Sequence, residues 1–121
     1  MEELSTIPTP CTTKIQALRD SIAQIIVGQT QATDLLLTSV IARGHVLIEG
    51  VPGVAKTLLA RVMAQLIDAR FSRVQFTPDL MPSDVLGTTV YNMKTGDFDF
   101  HPGPVFADVV LADEINRAPA K

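Results

Sequence analysis

The chain has 121 residues, of which 46% are hydrophobic, so it is long enough to form one domain with its own core. Charged residues make up 19% and the formal net charge is -3, which argues against a general nucleic-acid binder, since such proteins usually carry a basic face. The one cysteine, Cys11, cannot form an internal disulfide, and we interpret it as a spectator rather than a catalytic thiol. No apolar run approaches the roughly 20 residues that span a bilayer, and no signal-peptide pattern opens the chain. These features predict a cytoplasmic protein without a membrane span.

The first part of the sequence predicts a flexible arm followed by a helix. Residues 1–12 contain prolines among Ser and Thr, which is typical of an unstructured N-terminal arm. Thr13 and Gln16 have the spacing of a capping box, and apolar residues recur behind them at helical spacing. A first helix is therefore expected from Thr13 to about residues 27–29.

Further along, the sequence alternates between helix and strand patterns. A second helix is expected from about Thr30 to residues 43–44, an arginine and a glycine suited to a helix C-terminus, and a third begins near Lys56. Short apolar segments typical of buried strands lie at residues 45–49, around Val74 and Phe76, and at residues 109–112. Helices alternating with such strands predict an α/β fold with a parallel sheet.

Residues 77–107 differ from the rest because prolines and glycines interrupt any long element. Within them, Thr88–Met93 and Phe98–Phe100 flank residues 94–97, which predicts a β-hairpin. So long an irregular insertion in a compact domain usually has a function.

The strongest functional signal lies in residues 50–57, which read Gly-Val-Pro-Gly-Val-Ala-Lys-Thr. This is the frame of a Walker A phosphate-binding loop, with alanine in place of the last glycine. Its glycines let backbone amides point into one concavity, to which the following helix adds the positive end of its dipole. Lys56 is expected to reach the β- and γ-phosphates, and the Thr57 hydroxyl to bind Mg²⁺. The alternative is a glycine-rich turn with an ordinary surface lysine. The predicted nucleotide-binding residues are Gly50, Val51, Pro52, Gly53, Val54, Ala55, Lys56, Thr57 and Leu58.

A second signal is the acidic pair Asp113-Glu114, which follows the apolar segment at residues 109–112. Adjacent acids at the end of a buried strand form the Walker B arrangement of P-loop ATPases. We assign Asp113 to Mg²⁺, and Glu114 to the general base that polarises a water for attack on the γ-phosphate. Two acids alone are more often a solvated strand end, but together with a Walker A loop they predict a Mg-ATP site.

From residue 44 onward the sequence closely resembles the MoxR family of AAA+ ATPases. The resemblance implies a P-loop NTPase fold, a three-layer αβα core with parallel strands, for which residues 13–121 supply the N-terminal portion. Alanine at position 55 is usual in this family. The matching segments are Gly50–Thr57, Gln75–Asp84, Gly87–Tyr91, Pro102–Phe106 and Leu111–Pro119, preceded by Val27-Gly28-Gln29.

The same resemblance implies an ATP-driven, chaperone-like remodelling machine, with ATP and Mg²⁺ as cofactors. Such proteins act as rings of six subunits and often work with partners that bear von Willebrand factor A domains. The segment matching Val27, Gly28 and Gln29 lies near the adenine in AAA+ modules, although a helix boundary explains Gln29 equally well. The insertion would face substrates or partners, or form a lid of loops. Asn116 and Arg117 would face a neighbouring subunit or form an exposed polar turn.

Relative to the family, the chain stops soon after Glu114, before the sensor residues, the arginine finger and the helical lid. AAA+ sheets place their fourth strand between the first and the third, so an incomplete sheet with unpaired edges is expected to favour association. We expect either part of a longer ATPase or a chain that pairs with another copy. Hydrolysis is expected to be negligible, because an arginine finger is worth about 10³–10⁵ in rate. The alternatives are a nucleotide-binding interaction module without turnover and, less favoured for want of an acceptor site, a small-molecule kinase.

Overall fold

The computed structural model describes residues 10–50 and 56–120, and the chain separates into two compact units, Met1–Met63 and Ala64–Lys121. Within the described ranges, none of the helices combines the length and the apolar character that a membrane crossing requires. The helices are α1 (Pro10–Ile25), α2 (Thr30–Ile41), α3 (Lys56–Leu66) and α4 (Pro82–Leu86), with a 3₁₀ turn at Ile115–Arg117. The strands are β1 (Phe71–Gln75), β2 (Gly87–Asn92), β3 (Asp97–Pro102) and β4 (Val109–Asp113).

Helix α1 begins at Pro10, three residues before the expected start at Thr13. Thr13 therefore lies inside the helix and does not cap it. Residues 10–12 are helical, and residues 1–9, the rest of the predicted arm, lie outside the described residues.

The first unit has its core between α1 and α2, which pack against each other. Ile22 of α1 and Leu37 of α2 are buried, and each lies on the apolar face of its helix. Arg19 Nε lies 2.7 Å from Asp34 Oδ1 and joins the two helices, by a charge contact whose geometry is not that of a hydrogen bond. Burial of apolar side chains accounts for most of the stability of such a helix pair.

Helix α2 begins at Thr30, as predicted, and ends at Ile41 in a Schellman motif. The N–H of Arg43 donates to Val40 O at 3.1 Å, and the N–H of Gly44 donates to Ser39 O at 2.8 Å. The predicted stop at residues 43–44 is confirmed, but the left-handed residue is Arg43, with φ 52, and not the glycine that follows.

The strand predicted at residues 45–49 was wrong, because this segment has no strand structure. Val46 and Leu47 are exposed, Leu47 by 75% of its surface. A strand needs a neighbouring backbone to pair its N–H and C=O groups, and among the described residues none pairs with this segment. Apolar composition alone therefore did not produce a strand here.

The second unit contains the parallel sheet, formed by β1 and β4 with Gln75 opposite Asp113. The strands predicted around Val74 and at residues 109–112 are confirmed, and Val74 is buried. The N–H of Phe76 donates to Asp113 O at 2.9 Å, which continues the ladder one residue beyond β1. Because the strands are parallel, their carboxyl ends lie at the same edge of the sheet.

An ion pair closes the other end of this two-stranded sheet. Arg70 Nε and Nη2 donate to Asp108 Oδ2 and Oδ1 at 2.9 and 3.0 Å, and the Arg70 backbone N–H also donates to Oδ2. In return, Arg70 O accepts the backbone N–H groups of Asp108 and Val109. The hydrogen bonds from Arg70 hold the pKa of Asp108 below its usual value, at about 2.

The predicted β-hairpin is confirmed as the antiparallel pair β2–β3, with Tyr91 opposite Phe98. Gly96 takes φ 77 in its turn, and the Gly96 N–H donates to Asn92 O at 2.9 Å. Gly87 approaches the other strand so closely that a Cβ there would lie 2.2 Å from His101 O. The insertion at residues 77–107 thus contains the short helix α4 and a hairpin, and is more regular than its prolines suggested.

Candidate functional site

Lys56, the predicted phosphate-binding lysine, is the first residue of α3 and is half-buried. Its Nζ donates to Gly50 O at 2.7 Å, so the lysine folds back onto the first residue of the predicted loop. A Cβ on Gly50 would lie 3.2 Å from Lys56 Cε, so a larger residue there would require the lysine side chain to shift slightly. An ammonium group beside the helix start is placed to bind a phosphate.

The other residues of the predicted loop divide into two groups. Thr57, in the first turn of α3, is half-buried, whereas Leu58 is exposed on the outer side of the helix. The predicted phosphate-binding residues Val51, Pro52, Gly53, Val54 and Ala55 lie outside the described residues.

A cavity of about 230 Å³ in the first unit opens beside Lys56. Its walls are mostly apolar, with Leu36 of α2, Leu47 and Leu59 among them, and Gln29 adds an amide group. Few polar groups on an apolar wall are typical of sites that bind the base or sugar of a nucleotide. The structure therefore brings Gln29 and Lys56, which are distant in sequence, to the same cavity.

The other two residues of the predicted adenine segment lie on the outside of the turn between α1 and α2. Val27 is 88% exposed, and Gly28 takes φ 84 to reverse the chain. Gly28 therefore has a structural reason to be glycine, whatever its relation to a ligand.

The predicted Mg²⁺ ligand Asp113 lies at the carboxyl end of β4, where it is paired with an arginine. Arg73 Nε and Nη2 lie 3.2 and 2.5 Å from Asp113 Oδ2, and Nη2 also donates to Gln75 Oε1 at 3.0 Å. Arg73 was not among the residues predicted from the sequence. Its signal was the spacing of Arg73 and Gln75, which alternate toward the end of a predicted strand and so point to one face of the sheet.

The predicted general base Glu114 immediately follows β4 in the left-handed conformation, with φ 53 and ψ 44. Arg117 Nη1 donates to Glu114 Oε2 at 2.9 Å, across one turn of the 3₁₀ segment. Asn116 and Arg117 are both exposed. This ion pair agrees with the interpretation of residues 115–117 as a local polar turn.

Each unit carries one of the two predicted magnesium ligands, Thr57 in the first and Asp113 in the second. Among the described residues, no group of three or more His, Cys, Asp or Glu side chains is arranged to hold a metal ion. Mg²⁺ in nucleotide sites uses one or two protein oxygen ligands together with phosphate oxygens and water. The Thr57 hydroxyl and the Asp113 carboxylate are hard oxygen donors of that kind.

Comparisons with known proteins identify the family to which the chain is similar. Residues 45–121 match the sequence profile of the ATPase family associated with various cellular activities (AAA). The chain is 53% identical over 100 residues to "Chaperone MoxR1" of Mycobacterium tuberculosis, covering 83% of this chain and 26% of that protein. It is 41% identical over 102 residues to "Protein MoxR" of Methylorubrum extorquens, covering 80% of this chain and 29% of that protein.

A solved structure gives the same result for the fold. A Cytophaga hutchinsonii protein described as an ATPase matches with a TM-score of 0.77 and 47% sequence identity, over 89% of this chain and 33% of that one. These comparisons confirm the predicted α/β fold and the predicted resemblance to MoxR proteins. The chain spans about a quarter to a third of the length of these relatives.

Proposed function

Because the chain belongs to the ATPase family associated with various cellular activities (AAA), we propose that it binds ATP with Mg²⁺. The observation that carries the proposal is Lys56 at the start of α3, with its ammonium group on Gly50 O and a mostly apolar cavity beside it. Such a lysine is free to exchange a neutral carbonyl for phosphate oxygens, which bind an ammonium group more strongly.

We assign roles to the side chains and the loop as follows. Backbone groups of Gly50–Leu58 hold the phosphates, and Lys56 binds the β- and γ-phosphates. Thr57 and Asp113 are the ligands of Mg²⁺, which when bound neutralises charge on the phosphates and aligns them. Glu114 orients and deprotonates the attacking water.

The base of ATP lies near Val27–Gln29 in this proposal, with Gln29 as the residue in contact. Gln29 is favoured over its two neighbours because it lines the cavity that Lys56 also reaches. Val27 and Gly28 act by shaping the turn that places it.

For a complete ATPase of this family, we propose ATP hydrolysis coupled to chaperone-like remodelling of partner complexes. The names "Chaperone MoxR1" and "Protein MoxR" among the relatives support this role. A ring of six subunits, partners with von Willebrand factor A domains and a partner-facing role for residues 77–107 belong to the same proposal. So does the cytoplasmic location predicted from the sequence.

A second candidate is a nucleotide-binding interaction module that does not turn ATP over. The observation that favours it is the ion pair between Glu114 and Arg117, because a general base that accepts an arginine hydrogen bond is less available to a water. In that case ATP would stabilise an assembly without being consumed.

The proposal is tested by calorimetric titration of the chain with Mg-ATP, beside Lys56→Ala and the matched control Lys94→Ala from the hairpin turn. We expect saturable binding that Lys56→Ala weakens by roughly ten- to a hundredfold, since a charge-assisted hydrogen bond is worth about 1.5–3 kcal/mol, and that Lys94→Ala leaves unchanged. A chain that is folded by circular dichroism and binds no nucleotide would contradict the proposal. Equal binding by Glu114→Gln, with no phosphate released by either chain, would favour the second candidate.

A further inference from the structure

The two arginine–aspartate pairs of the parallel sheet differ in how they use the carboxylate. At the amino end, Arg70 contacts both oxygens of Asp108, and backbone hydrogen bonds reinforce the pair. At the carboxyl end, both Arg73 contacts reach the same oxygen of Asp113, Oδ2, and the guanidinium divides its donors between Asp113 and Gln75. The first pair has the fork-to-fork geometry of a structural ion pair, and the second does not.

The strand register explains why Arg73 reaches Asp113. Gln75 lies directly opposite Asp113, and Arg73 lies opposite Leu111, two residues earlier. Alternate residues of a strand share a face, so the side chains of Arg73, Gln75 and Asp113 are on one face of the sheet. Arg73 therefore extends along the strand direction toward the carboxyl edge, and Gln75 steadies its far end.

If the chain binds Mg-ATP, as proposed above and as this inference requires, two cations compete for the Asp113 carboxylate: the Arg73 guanidinium and Mg²⁺. A guanidinium within hydrogen-bond distance satisfies the carboxylate when no metal is bound. A divalent ion that approaches the same carboxylate meets the positive charge of Arg73 at short range, where repulsion is strong. The carboxylate can serve Mg²⁺ fully only if the Arg73 contact loosens.

We propose that Arg73 is a positioning residue that acts as the counter-cation of Asp113. Arg73 neutralises and orients this carboxylate before Mg²⁺ binds, and it releases the carboxylate when Mg²⁺ binds. Arg73 thereby sets the Mg²⁺ concentration that is needed for the chain to bind the nucleotide. Gln75 holds the released guanidinium at the sheet edge.

The test measures the Mg²⁺ concentration that half-saturates the enhancement of ATP binding, by calorimetry at a fixed ATP concentration. Arg73→Met keeps most of the side-chain length and removes the charge, so it should lower the half-saturating Mg²⁺ concentration by about tenfold. Arg73→Lys keeps the charge and should stay close to the original chain. Arg70→Met removes the structural pair of the same sheet and should leave the Mg²⁺ requirement unchanged. An unchanged or higher requirement in Arg73→Met, or equal behaviour of Arg73→Lys and Arg73→Met, overturns the inference.

A second measurement needs no substitution that disturbs folding. The Nε–H groups of Arg70 and Arg73 both donate to carboxylates, so their signals should be resolved in nitrogen-15 spectra of the ATP-bound chain. Addition of Mg²⁺ should move the Arg73 signal and leave that of Arg70 in place. An Arg73 signal that does not respond, in a chain that binds ATP, overturns the inference alone. Failure to bind ATP with or without Mg²⁺ overturns the proposed function and this inference together.

Discussion

Arg43 is one of three residues other than glycine that have a left-handed backbone in the described part of the chain. It takes φ 52 at the end of α2, in the place where a helix-ending Schellman motif usually has glycine. A left-handed conformation costs an L-residue about 1–2 kcal/mol, whereas glycine adopts it freely. The glycine of the sequence stands one position later, so it does not relieve this strain.

Replacement of Arg43 by glycine should therefore stabilise the chain. We expect Arg43→Gly to raise the free energy of unfolding by roughly 0.5–1 kcal/mol, the relief of strain less the entropy that an added glycine gains in the unfolded chain. Urea denaturation followed by circular dichroism measures the change. Asp68→Gly is the matched control, since Asp68 takes φ 54 after α3. It should gain less, because aspartate tolerates this conformation better. A destabilised Arg43→Gly chain would show that the arginine side chain outweighs the strain.

Single residues also show where prediction from the sequence ends. Lys56 and Asp113 could be assigned because a short local pattern carries their chemistry. Arg73 could not, because its partner Asp113 lies 40 residues away and the contact depends on the register between two strands. The left-handed conformation of Glu114 depends on the turn that follows it, and an exposed acid carries no sign of that.

Among the elements, the parallel sheet of β1 and β4 depends on the pair between Arg70 and Asp108. The pKa of Asp108 is lowered to about 2, chiefly by the side-chain hydrogen bond from Arg70, then by that from the Arg70 backbone. A carboxyl group whose pKa is lower in the folded than in the unfolded chain stabilises the fold when it is ionised. This contribution is complete above the unfolded pKa of roughly 4 and is lost as the pH falls through 2.

Asp108→Asn should accordingly lower the melting temperature at pH 6, and the difference from the original chain should shrink as the pH falls toward 2. The asparagine keeps the shape of the side chain and loses its charge. Thermal melting followed by circular dichroism across that range gives the comparison. Arg70→Met removes the same pair from its other side and should show the same convergence. A difference of equal size at pH 6 and pH 2.5 would mean that packing, and not the ion pair, is responsible.

Elements with a local signal were predicted well. Thr30 and Lys56 begin their helices as expected, and the turn at residues 94–97 defines the hairpin, because caps and turns depend on neighbouring residues. The segment at residues 45–49 failed because a strand is completed by its neighbour, which no local pattern specifies. The start of α1 was misplaced because residues 10–12 were interpreted as part of the arm, although they are helical.

At the scale of the whole molecule, the family and the fold class could be predicted because the loop, the acidic pair and the insertion motifs occur in a fixed order along the chain. Each compact unit carries part of the predicted chemistry: Lys56 and Gln29 lie in the first, and Asp113 with Glu114 in the second. The exposure of the hairpin's apolar face was harder to predict. Alternation of apolar and polar residues along a strand shows that one face is apolar, but it does not show whether another element covers that face.

That apolar face should make the chain self-associate. The register of β2 and β3 places Tyr91, Phe98 and Phe100 on one face of the hairpin, where Phe98 is 71% exposed, and Phe106 contacts Phe100 edge to face. The opposite face carries Val90 and Asp99. Contiguous exposed aromatic surface favours burial against another copy, and one phenylalanine side chain contributes about 1.5–3 kcal/mol when it is buried.

We expect the mass measured by size-exclusion chromatography with light scattering to rise with concentration above that of one chain. Phe98→Thr keeps the strand propensity and removes the ring, so it should weaken the association by roughly tenfold or more. Val90→Thr makes a similar exchange on the opposite face and should change it little. If the original chain has the mass of one copy at every concentration, or if both variants weaken association equally, the apolar face of the hairpin is not the contact.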